Sequence, residues 1–461
     1  MQANSVFSHQ KIDVLALSPS EEILTRIGQV TDRLKLALHC LPDVKEFISA
    51  TDYLGSPAVI ILDLSSTEEN LVAIERVRLV KKFATGVLLV ALVRDPSDVK
   101  FIDQLIEVGV DQVQVAADVL SSMRLDFLLM HQFLLKYFPI ELRDLFPSTE
   151  ITFTAYHYMA LNNKYLPVVF ENFLLTDKKF KRLEKIQQLY IQAPSTEAYQ
   201  NYIESYYDSF SMGLQKRTKA AFLRVISAYS QIRLLMMDAQ RPGGSEKMQS
   251  LLKSCQESHH RLLDYTKSSA NPFFIYIQLY QNHGVCHWDR NLFIAGLAAF
   301  LADMSGLAQP ENILKCSLVA YSGLMYSDHL TYLKWHDHPE NHWSTKDTEQ
   351  FCASIPVSSE LAQSQFSDFE GTMSKAVAHI FERFDGKGQP HQVSGEGIPV
   401  ETSLIQLAEG WLRQISKTKL GDATQAYESF KLYLVKEKTL GKINPQVIEK
   451  IQQVGFLKSE A

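Results

Sequence analysis

The 461-residue sequence lacks most of what would reveal its chemistry at sight. Its five cysteines (Cys40, Cys255, Cys286, Cys316 and Cys352) are odd in number, scattered and without CxxC spacing. That pattern excludes a disulfide frame and a zinc ribbon, and the expectation is reduced thiols in a cytoplasmic protein. No apolar run reaches the length of a membrane span, because charge or glycine interrupts each one. The first residues, MQANSVFSHQKID, carry no signal-peptide core. Positive charge is not in excess either. Lys and Arg number 46 against 52 Asp and Glu, and the net charge of −6 removes the electrostatic case for bulk nucleic-acid binding. There is no GxSxG elbow, no Walker loop and no GxGxxG after a strand, no segment is low-complexity, and no internal repeat is visible. What remains is a globular composition, 46% hydrophobic and 21% charged, on a chain long enough for several domains.

Residues 11–118 alternate apolar runs, at 14–17, 36–41, 58–64, 87–93 and 112–115, with helical patterns. Continuous apolar strands separated by helices predict a parallel sheet covered on both faces, an α/β flavodoxin-like domain over 1–118. Ser18-Pro19-Ser20-Glu21 predicts the start of its first helix, as a capping box with proline at the first helical position. The third strand ends on Asp63, and with that aspartate the domain resembles a response-regulator receiver. The resemblance makes Asp63 the candidate phosphoacceptor. It also places Ser18 and Pro19 at the acidic pair that would hold Mg²⁺, Ala91 and Leu92 near the hydroxyl switch, and Ala116 at the lysine. Phosphoryl transfer to a carboxylate needs the metal to neutralise charge. The expectation is therefore a pseudo-receiver in which Asp63 caps the end of its strand.

A helix over 119–138, ended or kinked by Pro139, should lead out of this domain. Residues 139–205 read as a small mixed α/β domain, with strands at 150–156, 165–170 and 188–191, a turn at Asn162-Asn163-Lys164, and a helix starting at Asp177. The five cations between Lys178 and Lys185 read as a solvated helix face. Residues 206–280 are expected to form a helical hairpin broken at Arg241-Pro242-Gly243-Gly244. Tyr206, Phe210, Leu214, Phe222, Val225, Leu234 and Leu235 would either pack onto the C-terminal domain or pair with a second copy in a homodimer.

The C-terminal segment, 281–461, is helical in pattern around one exception. IFERFDGKGQP at 380–390, followed by GEGIP at 395–399, puts two glycines, a proline and an aspartate within six residues, which demands a tight loop with positive backbone angles. This stretch resembles the signature of HD-GYP domains, an all-α branch of the HD phosphohydrolases that hydrolyse cyclic di-GMP at a two- or three-metal site. Glu382, Asp385, Gly386, Gly388, Pro390, Ile398, Pro399 and Ala408 match the signature. The two histidines of the signature fall on Ile380 and Phe381, its tyrosine on Gln389 and its closing aspartate on Glu409. Upstream, His287 and Arg290 match the opening motif, but the histidine–aspartate pair falls on Tyr321 and Ser322 and the assisting lysine on Met325. His338-Pro339 matches a further ligand position, within a cluster of His329, His336, Asp337, His338 and His342. Tyrosine, with a pKa near ~10, and serine are poor metal ligands at neutral pH.

The resemblance therefore implies a degenerate domain with residual ligand-type positions His287, His338 and Glu409, no bound metal or other cofactor, and no catalysis. It implies a signalling or scaffold protein that contacts other proteins, GGDEF-domain cyclases in particular, through a loop bearing Arg383, Asp385, Lys387 and Gln389. Two other readings stay open. One is a sensor that binds a cyclic dinucleotide without cleaving it. The other is a surviving phosphodiesterase with unusual ligands.

Overall fold

The computed structural model describes residues 12–50, 56–66, 69–84, 86–159, 164–186, 188–206, 213–237, 244–269, 271–281, 289–337, 342–366, 369–415 and 422–454. The chain divides into two compact units, one of residues 1–130 with 237–244, the other of 131–236 with 245–461.

In the first unit the apolar runs become five strands: β1 (Val14–Leu17), β2 (Leu38–Leu41), β3 (Val59–Asp63), β4 (Leu88–Val93) and β5 (Gln112–Val115). They pair in parallel in the order β2-β1-β3-β4-β5, with Val14 opposite both Leu38 and Val59. This is the doubly wound order expected from the alternation. The helices between them are α1 (Glu21–Leu34), α2 (Val44–Ala50), α3 (Asn70–Phe83), α4 (Val99–Glu107) and α5 (Ala116–Ser121). α1 packs on α5, while α2 packs on α3 and α3 on α4. The core is built from the strand residues and the inward stripes of the helices, among them Leu15, Ile60, Val77 and Leu89.

Two local expectations for this unit need correction. The first helix is capped by Ser20, whose hydroxyl accepts from the Ile23 amide, so Pro19 lies before the helix and not in its first turn. The long helix over 119–138 does not exist as one piece. α5 stops at Ser121, Ser122 is extended (φ −129°, ψ 175°), and α6 runs from Arg124 to Leu134. The break has a cause in Arg26 of α1. Its guanidinium takes the Val119 and Ser122 carbonyls at 3.1 and 2.8 Å and the Asp126 carboxylate at 2.7 Å, so these carbonyls are satisfied from outside the helix.

In the second unit Tyr137–Ile140 forms β6, not a helix end. The small sheet then collects β7 (Glu150–Ile151), β8 (Ala155–Met159), β9 (Lys164–Val169), β10 (Phe173–Leu174) and β11 (Leu189–Gln192). Four of them make an antiparallel sheet ordered β6-β11-β8-β9, and β10 pairs with β7. Pro139 is tolerated because β6 is an edge strand, where a missing N–H costs nothing. One face of the sheet buries Phe138, Ile140, Ala155, Leu189 and Ile191. The other carries a cluster of tyrosines, in which Tyr137 and Tyr165 stack at 3.7 Å. α7 (Asp177–Leu183) starts on a Thr176 cap, and Lys181, Arg182 and Lys185 are exposed as expected of a solvated face. The turn residues Asn162 and Asn163 lie outside the described residues.

The remaining helices are α8 (Thr196–Tyr206), α9 (Gly213–Met237), α10 (Gly244–Lys267), α11 (Pro272–Gln281), α12 (Asn291–Ser305), α13 (Pro310–Ala320), α14 (His329–Asp337), α15 (Thr345–Cys352), α16 (Ser354–Gln365), α17 (Thr372–Ala378), α18 (Val400–Ile415), α19 (Ala423–Leu440) and α20 (Pro445–Gln452). α12 is buried on every side from Asn291 to Ala302, as a helix apolar all round must be, and packs against α13 and α18. The expected hairpin is α9 with α10, followed by a third helix, α11. Phe222, Val225 and Leu235 of α9 are buried within the chain, and Phe222 meets Tyr280 edge-on at 4.8 Å. These three side chains are taken up inside the chain, Phe222 by Tyr280 of α11. Phe210 and the break at 241–243 lie outside the described residues. Cys40, Cys255, Cys316 and Cys352 are free thiols. Among the described residues no helix is long and apolar enough to cross a membrane.

Candidate functional site

The signature loop leaves α17 at its C-terminal end and returns to α18. Gly386 takes φ +75°, and a Cβ on Gly388 would stand 2.2 Å from the Arg383 backbone nitrogen, so glycine is demanded at both positions. The loop is held by Glu382, which is fully buried. Its two carboxylate oxygens accept from the amides of His391 at 2.6 Å and Val393 at 3.1 Å. Gln406 on α18 donates to the Ile380 and Glu382 carbonyls at 3.1 and 2.6 Å. Matching the signature at Glu382 and Gly388 is thus matching a scaffold.

The four residues expected to present the loop to partners divide. Lys387 is exposed. Arg383 is half-buried and turned onto Asp385, in a fork of 2.9 and 2.5 Å, and Asp385 also accepts from the Lys387 amide. Burial pushes the Asp385 carboxyl up, but the hydrogen bonds from Arg383 and the Lys387 amide together with their charges outweigh it, so the net shift is downward. Gln389 is half-buried. Arg383 and Gln389 are therefore less available than the sequence reading supposed.

Beside the loop lies a cleft of about 1120 Å³, whose wall includes Lys387, Gln389, Glu409, Arg413, Lys436 and Lys442. Glu409 is engaged by Arg413 one turn along α18. The Arg413 guanidinium also donates to the Trp335 carbonyl and lies over the Trp343 ring, 4.5 Å from its centre. Arg290 sits close enough to Glu409, Arg413 and Asp337 for their charges to act on it. It is almost fully buried, and its Nη1 has no hydrogen-bond partner. Burial, with the charge of Arg413 adding to it, pushes this guanidinium down to about 10.

The positions that the resemblance assigns to metal ligands are filled by packing groups. Tyr321 ends α13 and is buried against Trp335 at 5.1 Å and Phe381 at 5.8 Å. Ile380 is buried as well. Ser322 accepts a hydrogen bond from Arg233 Nη1 at 2.7 Å and donates to the Leu318 carbonyl. Arg233 Nε reaches Asp289 at 2.8 Å, and His131 Nε2 lies 3.3 Å from the same carboxylate oxygen. All four groups are buried. Burial pushes Asp289 up, but the Arg233 charge, joined by His131 and Tyr229, overrides it and holds the carboxyl far below its usual range. Burial likewise lowers His131. A guanidinium, a serine and one carboxylate are not a donor set for a hydrolytic pair of metal ions. Among the described residues no three His, Cys, Asp or Glu side chains come together as a metal group. His287 and His338 lie outside the described residues. Within the histidine-rich stretch, His336 is buried on α14, stacked on Tyr332 and 2.7 Å from Asp337.

In the first unit Asp63 ends β3 with its carboxylate taken up by hydroxyls and an amide. Ser18 Oγ donates at 2.6 Å, and the Ser65 amide and hydroxyl donate at 2.9 and 2.6 Å. A lone carboxylate with serine in place of the acidic pair is a poor cradle for Mg²⁺.

Arg233, His131 and Arg413 were not singled out by the sequence reading, and Arg290 entered it only as a match to the opening motif, beside Asp289. The one available signal was Arg233 itself, a cation inside the apolar run from Ile232 to Met237.

No protein-family model matches the chain, and no curated protein does. Among solved structures it is similar to Bd1817, an HDG"Y"P protein from Bdellovibrio bacteriovorus, with 17% identity and a TM-score of 0.40 over 68% of this chain and 98% of that one. The likeness is distant and by itself fixes neither fold nor activity.

Proposed function

We propose that the chain is a non-catalytic signalling protein of a cyclic-di-GMP network that works by binding other proteins. One observation carries this reading. Arg233 hydrogen-bonds both Asp289 and Ser322, the second of which stands where the resemblance would place a metal-ligating aspartate, and so supplies a fixed cation at that point. Lys387 at the exposed turn is the group best placed to meet a partner, and a GGDEF cyclase domain is the partner the resemblance implies. Calorimetric titration of the full chain with such a domain tests this. Binding that weakens on Lys387→Ala supports the proposal. Linear dinucleotide appearing when the manganese- or iron-loaded protein is given cyclic di-GMP overturns it.

Arg290 favours a second reading, the nucleotide sensor. A buried guanidinium without a hydrogen bond on Nη1 is costly, and an anion bound in the cleft near Arg413, whose charge already acts on Arg290, would offset part of that cost. Saturating cyclic di-GMP should then raise the melting temperature of the parent and not of Arg413→Met. No shift in the parent removes this reading.

A further inference from the structure

We propose that the outer face of α3 pairs with the same face of a second copy of this chain, antiparallel about a two-fold axis. The helix buries Ala73, Ile74, Val77 and Val80 in the core of its unit. Its opposite side carries four exposed apolar side chains, Leu71 at 75%, Val72 at 42%, Leu79 at 40% and Phe83 at 45%, set among the exposed Glu75, Arg78 and Lys82. At 100° per residue, positions 72, 75, 79 and 82 form one seam with alternate spacings of three and four, flanked by Leu71 and Phe83. Val99, 59% exposed at the start of α4, extends the patch. Asn70 donates to Asp98 at 3.1 Å and so holds the start of α4 beside the start of α3. Single apolar side chains on a surface need no explanation, but four on the outer side of one helix, with Val99 beside them and charges between, suit an interface of mixed character.

The charges on this face identify the occupant. Glu69 and Glu75 lie toward the N-terminal end of the helix, and Arg78 and Lys82 toward the C-terminal end. A parallel copy would set like charges together. An antiparallel copy sets the acidic half of each helix against the basic half of the other, so a single surface complements itself, as a two-fold interface requires. Glu75 and Arg78 pair within the helix at 2.5 Å, but both are more than half exposed. Such a pair is weak and exchanges readily for contacts across an interface. This inference stands apart from the C-terminal cleft and from any reading of its ligand.

Light scattering on the eluting full chain, from low to high micromolar loading, tests it. The mass should move from 52.4 kDa toward twice that value. Leu79→Glu alters an exposed side chain and should leave circular dichroism unchanged while weakening dimerisation by about tenfold or more. Glu75→Lys should weaken it as well, and the fourfold reversal Glu69→Lys, Glu75→Lys, Arg78→Glu, Lys82→Glu should restore it. A parent that is monomeric throughout, or a dimer indifferent to Leu79→Glu, overturns the proposal. A fourfold reversal that fails to recover overturns the antiparallel pairing.

Discussion

Replacing Arg233 by methionine should expose how the buried cluster is balanced. The substitution keeps volume and removes the guanidinium hydrogen-bonded to Asp289, leaving that carboxylate, among the described residues, with His131 at 3.3 Å, the Asn291 amide at 3.2 Å and Tyr229. Stranding one member of a buried pair costs about 3–5 kcal/mol. Adding Asp289→Asn removes the stranded charge, so the double variant should be about 2 kcal/mol more stable than the single one, a coupling no additive scheme produces. Urea unfolding followed by tryptophan fluorescence is the assay. Trp288, Trp335, Trp343 and Trp411 all belong to the 131–461 unit, so the signal reports that unit alone. The pH dependence adds a second arm. In the parent, the depressed carboxyl of Asp289 contributes stability above the unfolded carboxylate pKa, and this is lost only on strong acidification. Without Arg233, burial dominates and raises that carboxyl, so the cost of the substitution should shrink between about pH 7 and about pH 5. A single variant costing less than about 1 kcal/mol, or a double variant no better than the single, would refute the assignment.

Three further outcomes follow from particular contacts. Burial pushes His259, which lies 2.6 Å from the Tyr276 hydroxyl, down to about 3, so the unfolded chain takes up this proton first. Stability should be complete above the ordinary histidine range and fall by about 2 kcal/mol at pH 5, a slope that His259→Gln should reduce in the same urea assay. Glu382→Gln leaves one oxygen where two amides are now served, and should cost about 1–3 kcal/mol and speed hydrogen exchange at His391 and Val393. Gly388→Ala forces a methyl onto the Arg383 amide and the Glu382 backbone, and should cost roughly 3 kcal/mol, read as a lower urea midpoint with unchanged slope.

The parallel sheet was legible because its strands are continuous apolar runs, and both the strand order and the position of Asp63 at the end of β3 follow from the alternation. β2 was read two residues early because Leu36 is apolar. Its amide instead closes α1 onto the Thr31 carbonyl, after Lys35 turns the chain with φ +56°. The helix break at Ser122 was hidden because its cause, Arg26, lies about a hundred residues away. Pro139 was misread for a related reason: proline ends helices and also suits edge strands, and only the pairing with β11 decides between them. In the C-terminal site, the residues present at motif positions could be named from the sequence, and their chemistry judged. What fills the space could not. Arg233 and Asp289 are 56 residues apart and meet only through the packing of α9 near the start of α12. Periodicity carries no record of such a contact.

A counter-ion that belongs to the chain differs from one drawn from solution. The positive charge beside Asp289 arrives with every copy synthesised and is in place once α9 is packed. Chelators cannot strip it, scarcity of iron or manganese cannot leave it half-loaded, and no rival metal can displace it. That corner of the molecule is therefore set at folding and owes its counter-charge to no ion in solution.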